Sequence, residues 1–222
     1  VSGICSSMTK QDAIRRVAKP TVFLLCLIPL AWIAWRIING DVGTGLNANP
    51  VEQVNRYLGD WALRFVLIAL SVTPLVKITN WTTPIRFRRM LGLFAFAYAT
   101  LHLANYVIAD QFFNWADIWA DIVKRVFITL GMATYLVLLA LAVTSPKAAV
   151  KKMGAKRWRL LHRGAYFAGI GGVIHFWMMV KADLTQPIIH ATILGLLLGY
   201  RLIKRQKKTT TPAHNSSKVQ MV

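Results

Sequence analysis

The run MLGLFAFAYATLHLANYVIA, residues 90–109, contains no Asp, Glu, Lys or Arg and a single histidine, His102. Twenty residues at about 1.5 Å rise each reach the roughly 30 Å of a bilayer's hydrocarbon core, so this run reads as a transmembrane helix. Five further runs meet or approach that length: residues 20–38, 61–78, 125–144, 160–180 and 187–203. Turn or helix-start signals punctuate them, with Asn39-Gly40 after the first, Thr83-Pro84 before the third, Ser145-Pro146 after the fourth and Gln186-Pro187 at the sixth. The first run carries Arg36 at its far end and no small-x-small cleavage site follows, so it reads as a retained helix rather than a signal peptide. Composition agrees: 55% hydrophobic and 16% charged residues in 222 lie outside the range of soluble domains, which excludes an ordinary soluble enzyme. The expected fold is an all-α membrane protein, a bundle of six transmembrane helices.

The net charge of +19 needs location before meaning. Lys10, Arg15, Arg16 and Lys19, then Lys77, Arg86, Arg88 and Arg89, then the cluster from Lys147 to Arg163, then Arg201 to Lys218 all fall on one side of the expected membrane. The other side holds only Arg36, Arg56, Arg64, Lys124, Arg125 and Lys181, together with every acid except Asp12. Alternating loops obey the positive-inside rule throughout, so both termini are expected in the cytoplasm. The charge is therefore topology, with no nucleic-acid partner required, and membrane lipids are the surface that the basic tail would meet.

No loop is long enough for a second domain of ordinary size. Residues 1–19 read as a cytoplasmic N-terminal segment in which residues 1–7 precede Met8 as an upstream start, 20–205 as the transmembrane domain, and 206–222 as a mobile cytoplasmic tail rich in Lys, Thr and Ser. No internal repeat is legible. Cys5 and Cys26 cannot build a disulfide framework, a Cys-rich zinc site or a C-x-x-C-H attachment. Neither G-x-G-x-x-G nor a P-loop occurs, which argues against nicotinamide oxidation by this chain.

Ionisable groups inside a span are costly, so the histidines carry the functional question. The third and fifth spans run in the same direction, and His102 and His175 both lie about 20 Å from the inner edge. Two imidazoles at matched depth on two helices are what a bis-histidine haem requires. Gly171 and Gly172, on the turn before His175, either give a porphyrin edge room or serve small-residue helix packing. His162 is a third candidate, for a second haem nearer the cytoplasm or for a structural role. Two observations weigh against the haem: thirteen residues place it about 140° from His175 on an ideal helix, and the position facing it on the third span is Arg89. Arg88 and Arg89 suit haem propionates or a flavin phosphate, and equally suit a stop-transfer cluster. His190 is expected in an interfacial hydrogen bond, and His214 in solvent.

The motifs RFRRMLG at 86–92, YATLHL at 98–103, LHRGAY at 161–166 and IHFW at 174–177, followed by Val180-Lys181, resemble the MsrQ (YedZ) family. Leu30-Ala31-Trp32 and the Asn49-Pro50-Val51-Glu52 loop are similar too, and the likeness covers approximately residues 20–205. The resemblance implies the haem-binding membrane subunit of a bacterial inner-membrane system that repairs oxidised methionines, within the ferric-reductase-like transmembrane superfamily. It implies haem b, one or two per chain, with iron ligands at His102, His162 and His175, and FMN. It further implies electrons drawn from the quinone pool or a cytoplasmic flavin reductase and passed to a periplasmic molybdenum-containing methionine-sulfoxide reductase, so that the chain is an electron-transfer subunit without catalysis of its own. Two other classes stay open at this level: a self-contained transmembrane ferric or oxygen reductase, and a transporter or scaffold with structural histidines. The absent dehydrogenase domain and the single histidine on the third span favour the electron-transfer subunit.

Overall fold

The computed structural model describes residues 14–43, 49–180 and 183–209, with the side chains of residues 15 and 205–209 left aside. The expectations for residues 1–13, for His214 and for the tail beyond residue 209 lie outside the described residues, as do those for Lys181. Among the described residues the chain is helical throughout. The longer helices are α1 (Lys19–Ile38), α2 (Pro50–Thr79), α3 (Arg88–Asn105), α4 (Trp115–Lys124), α5 (Val126–Val143), α8 (Gly164–Met179) and α9 (Thr185–Thr209), with two short basic helices, α6 (Lys147–Met153) and α7 (Ala155–Leu161), between α5 and α8.

Local chemistry sets these boundaries. Pro20 and Pro50 sit in the first turns of α1 and α2, where a missing N–H costs nothing. The Asn49 side chain caps α2 by accepting from the Glu52 N–H at 3.2 Å, and Glu52 adds negative charge at the positive end of the helix dipole. This cap starts α2 eleven residues earlier than the apolar run at 61–78 does, giving a 30-residue helix. Asn114 caps α4 in the same way, accepting from Asp117 N–H at 3.3 Å. Helix α4 was not foreseen: it buries Ile118 and leaves Trp115, Trp119 and Val123 exposed, the pattern of a helix lying at a membrane surface.

Among the described residues five helical stretches are long and apolar enough to cross a membrane: Arg16–Ile38, Pro50–Thr79, Arg88–Asp110, Val126–Val143 and Thr185–Lys204. The run at 160–180 instead gives the 16-residue α8, because His162 and Arg163 form a turn that separates it from α7. At about 1.5 Å per residue α8 is roughly 24 Å long, short of a full hydrocarbon core. The last helix continues to Thr209, into the stretch read as tail.

Helices α2 and α3 pack as one pair and α5 and α8 as another. The pairs meet where α2 touches α8 and α3 touches α5; α9 covers α2 and α8, and α1 lies outside against α3. The core between them holds Leu63, Phe65, Val66 and Leu70 of α2, Phe94 and Tyr98 of α3, Leu138 of α5, Val173 of α8 and Leu194 of α9. Large apolar side chains such as Leu24, Ile28, Leu136 and Leu196 face outward, as a bilayer solvent allows. Tyr98, 1% exposed, ties α1 to this core. Its hydroxyl accepts from Leu30 N–H at 3.0 Å and donates to the Cys26 carbonyl at 2.9 Å, the two groups that an unbroken helix would join to each other. Pro29 lies between them, so the tyrosine satisfies backbone groups beside a proline in the span.

Candidate functional site

His102, near the C-terminal end of α3, and His175, in the last turns of α8, face each other inside the bundle. Their ring centroids are 6.2 Å apart and the ring planes cross at 84°. Each ring is held by a carbonyl on a different helix: Nδ1 of His102 lies 2.9 Å from Asn55 O of α2, and Nδ1 of His175 lies 2.7 Å from Phe127 O of α5. A carbonyl only accepts, so Nδ1 carries the hydrogen in both rings and Nε2 keeps its lone pair.

Glycine makes the approach possible. A β-carbon at Gly59 would lie 3.0 Å from Nδ1 and 3.1 Å from Cε1 of His102, and one at Gly131 would lie 2.9 Å from the same two atoms of His175. Each glycine stands four residues after the carbonyl that its histidine uses, on the same helix face one turn along. Asn55 to His102 is 47 residues and Phe127 to His175 is 48, so the two halves repeat one device: a carbonyl and a glycine on one helix, an imidazole on the partner helix. This repeat was invisible in the sequence because the carbonyl has no residue signature.

The arrangement fits a metal between the rings. With about 2 Å from nitrogen to metal and roughly 1.2 Å from nitrogen to ring centre, a metal bound by two Nε2 atoms in line would separate the centroids by about 6.4 Å. Donation of the other ring nitrogen to a backbone carbonyl is also the usual way in which a metal-bound histidine is oriented. A haem held by two histidines would suit this donor set, with His102 and His175 as its ligands.

Gly171 and Gly172 serve helix packing instead. A β-carbon at Gly171 would strike the Thr134 hydroxyl of α5, and one at Gly172 would lie 3.1 Å from Leu63 Cδ1 of α2. His162 stands apart from the pair, in the turn before α8, so the ideal-helix angle between it and His175 does not apply. Its Nε2 is 3.3 Å from the Thr144 hydroxyl and its ring stacks on Trp158 at 4.0 Å, while Trp158 Nε1 donates to Thr144 O at 3.0 Å. Arg88 is half-buried at the start of α3, near enough to His162 and Arg201 to interact with both, whereas Arg89 is exposed. Arg201, counted in the sequence only towards topology, donates to Leu70 O at 2.6 Å and lies over the Tyr166 ring at 4.8 Å. Its place was hidden because it acts across 131 residues of chain.

Residues 58–173 match the family described as the ferric reductase like transmembrane component, a stretch that contains His102 and His162 and ends just short of His175. Over 211 residues the chain is 49% identical to a Rhodospirillum rubrum protein, covering 94% of this chain and 98% of that one. It is 46% identical over 181 residues to a Caulobacter vibrioides protein, covering 82% and 84%, and 45% identical over 204 residues to a Polaromonas naphthalenivorans protein, covering 91% of each. All three are named protein-methionine-sulfoxide reductase heme-binding subunit MsrQ. The chain belongs to the MsrQ family. With five apolar helices of spanning length among the described residues it is a multi-pass bacterial membrane protein, and the resemblance drawn from the histidine motifs holds over nearly its whole length.

Proposed function

We propose that this chain is the haem b electron-transfer subunit of a methionine-sulfoxide reductase system in the bacterial inner membrane. One observation carries the reading: two imidazoles, each fixed by a carbonyl at Nδ1, stand 6.2 Å apart with both Nε2 atoms free to ligate. Haem held there supplies one-electron chemistry, its iron alternating between ferric and ferrous. The carbonyls of Asn55 and Phe127 orient the two imidazoles, and a haem held by both His102 and His175 would have no open position to offer oxygen. Helix α8 counts as the sixth span in this reading, its shortness being tolerated because other helices enclose it. The distribution of Lys and Arg then keeps both termini in the cytoplasm.

Electrons enter from the quinone pool or a cytoplasmic flavin reductase and leave to a periplasmic molybdenum-containing methionine-sulfoxide reductase. Arg88, with Arg201 beside it, is the anion partner at the cytoplasmic end, for propionates or a flavin phosphate, and Arg89 adds charge at the surface. His162 is the ligand available to a second haem; FMN enters through the family alone. The test is a reduced-minus-oxidised spectrum of detergent-purified protein, with haem extracted and counted. A b-type spectrum is expected that disappears in His102→Ala and in His175→Ala; a folded preparation without haem would end the reading.

A further inference from the structure

A cavity of about 410 Å³, within the range of small-molecule sites, lies between α2 and α9 and is not used by the paired imidazoles. Its walls run from Trp61 to Ser71 on α2 and from Gln186 to Ile193 on α9, about 15 Å and 10 Å of helix. Ile68 and Ile193 are exposed on spanning helices, so the side of the cavity opens to lipid.

The two ends differ in chemistry. Trp61, Arg64 and Gln186 stand at the end where both helices begin. The Arg64 guanidinium gives one nitrogen to Asp60 and lies over the Trp61 ring at 4.9 Å. These contacts hold the guanidinium in place and leave other N–H donors of its fork for a ligand. The exposed Gln186 side-chain amide adds donors beside it. His190 belongs to the floor: it is 3% exposed, and its Nε2 faces Asp60 Oδ1 at 3.4 Å in an ion-pair contact. The other end is apolar. Leu67, Ile68 and Ile193 line it, and Ser71 spends its hydroxyl on the Ile68 carbonyl at 2.8 Å.

We propose that this cavity seats one glycerophospholipid, its phosphodiester accepting from Arg64 and Gln186 and one acyl chain running past Ile68 and Ile193. Donors at one end, hydrocarbon at the other and a side open to the bilayer match the two halves of such a lipid. A phosphodiester offers the charged oxygens that a guanidinium fork recognises. A diacylglycerol lacks them, and a free phosphate would leave the apolar half of the cavity to water. The bound lipid bridges α2 and α9 and closes the membrane side of the Asp60–His190 contact. That it comes from the periplasmic leaflet rests on the orientation proposed above; the binding itself does not, nor does it depend on haem.

The experiment is native mass spectrometry of the full chain, delipidated in detergent and titrated separately with dioleoyl-phosphatidylglycerol, dioleoyl-phosphatidylethanolamine, dioleoylglycerol and glycerol 3-phosphate. One saturable adduct is expected with either phospholipid and none with glycerol 3-phosphate. Dioleoylglycerol should bind at least about tenfold more weakly, since a hydrogen bond to a charged group is worth at least that factor. Arg64→Gln, which removes the guanidinium, and Ile193→Trp, which fills the cavity from its lipid side, should each weaken the phospholipid adduct by at least about tenfold. Ile193→Trp leaves Arg64 and Asp60 unchanged and decides the matter if Arg64→Gln does not fold. Parent-like phospholipid binding in Ile193→Trp, equal binding of dioleoylglycerol, or a series of adducts without saturation would each overturn the proposal. Displacement of the phospholipid by an equal concentration of decyl-ubiquinone would also overturn it.

Discussion

Gly131→Ala separates the stability of the fold from the integrity of the site, because the two are expected to move in opposite directions. The added methyl would stand 2.9 Å from Cε1 and Nδ1 of His175, against the roughly 3.5–4.0 Å of ordinary carbon contacts. The ring must retreat by about 0.6–1 Å, which stretches the 2.7 Å approach to Phe127 O to around 3.5 Å, the limit of hydrogen bonding. Loss of that bond costs about 1 kcal/mol, and loss of a residue that orients a metal ligand typically weakens metal binding by about 10–100-fold. Alanine in a helix interior, by contrast, stabilises the helix by up to about 1 kcal/mol relative to glycine. We therefore expect Gly131→Ala to bind haem at least about tenfold more weakly while its thermal unfolding temperature in detergent is unchanged or raised. Gly59→Ala should behave alike, its β-carbon meeting His102 at 3.0 Å. Gly92→Ala is the control, since a β-carbon there meets nothing within 4 Å, although it lies on the same helix as His102. The assay is titration of apoprotein with haemin, followed in the Soret band, alongside a melting curve. Parent-like haem affinity in both Gly59→Ala and Gly131→Ala would refute the claim that these glycines set the imidazole positions.

Three further outcomes are expected. His102→Ala and His175→Ala should each abolish the same spectral component, and retention of the full spectrum in either would show that the two rings do not share one group. His162→Ala should spare that component and lower the melting temperature through loss of the Thr144 and Trp158 contacts; if haem extraction shows the count falling from two to one, His162 is a ligand as well. Tyr98→Phe should destabilise the bundle by about 1–3 kcal/mol, measured by denaturant or thermal unfolding, because it strips a partner from the Leu30 N–H and the Cys26 carbonyl in the middle of a span. An unchanged melting curve would mean that these two groups rejoin directly across Pro29.

The histidines were legible because a spanning helix converts residue number into depth: a fixed rise per residue and a known starting edge put His102 and His175 at one level from the chain alone. The spans were legible for a related reason, as lipid demands long apolar runs and the translocation machinery sorts Lys and Arg. What escaped was short or cross-chain. Helix α4 is an amphipathic ten-residue stretch that no spanning-length criterion can find. The run at 160–180 looked like one helix because hydropathy does not register the turn at His162 and Arg163 that separates α7 from α8. Gly171 and Gly172 drew attention by lying next to a histidine in the chain, yet the glycines that matter to the rings are Gly59 and Gly131, more than forty residues away.

By itself the sequence determined the class of protein, five of the six helices read as long enough to cross a membrane, and the common depth at which His102 and His175 were expected, since each of these derives from local composition and helical rise. Only the tertiary structure decided how those side chains are oriented. The hydrogen on each Nδ1 is placed by a backbone carbonyl of another helix, and each ring is admitted by a side chain that is missing there. Backbone carbonyls are common to every residue and a glycine's empty space has meaning only relative to what fills it, so neither can be read until the helices are packed.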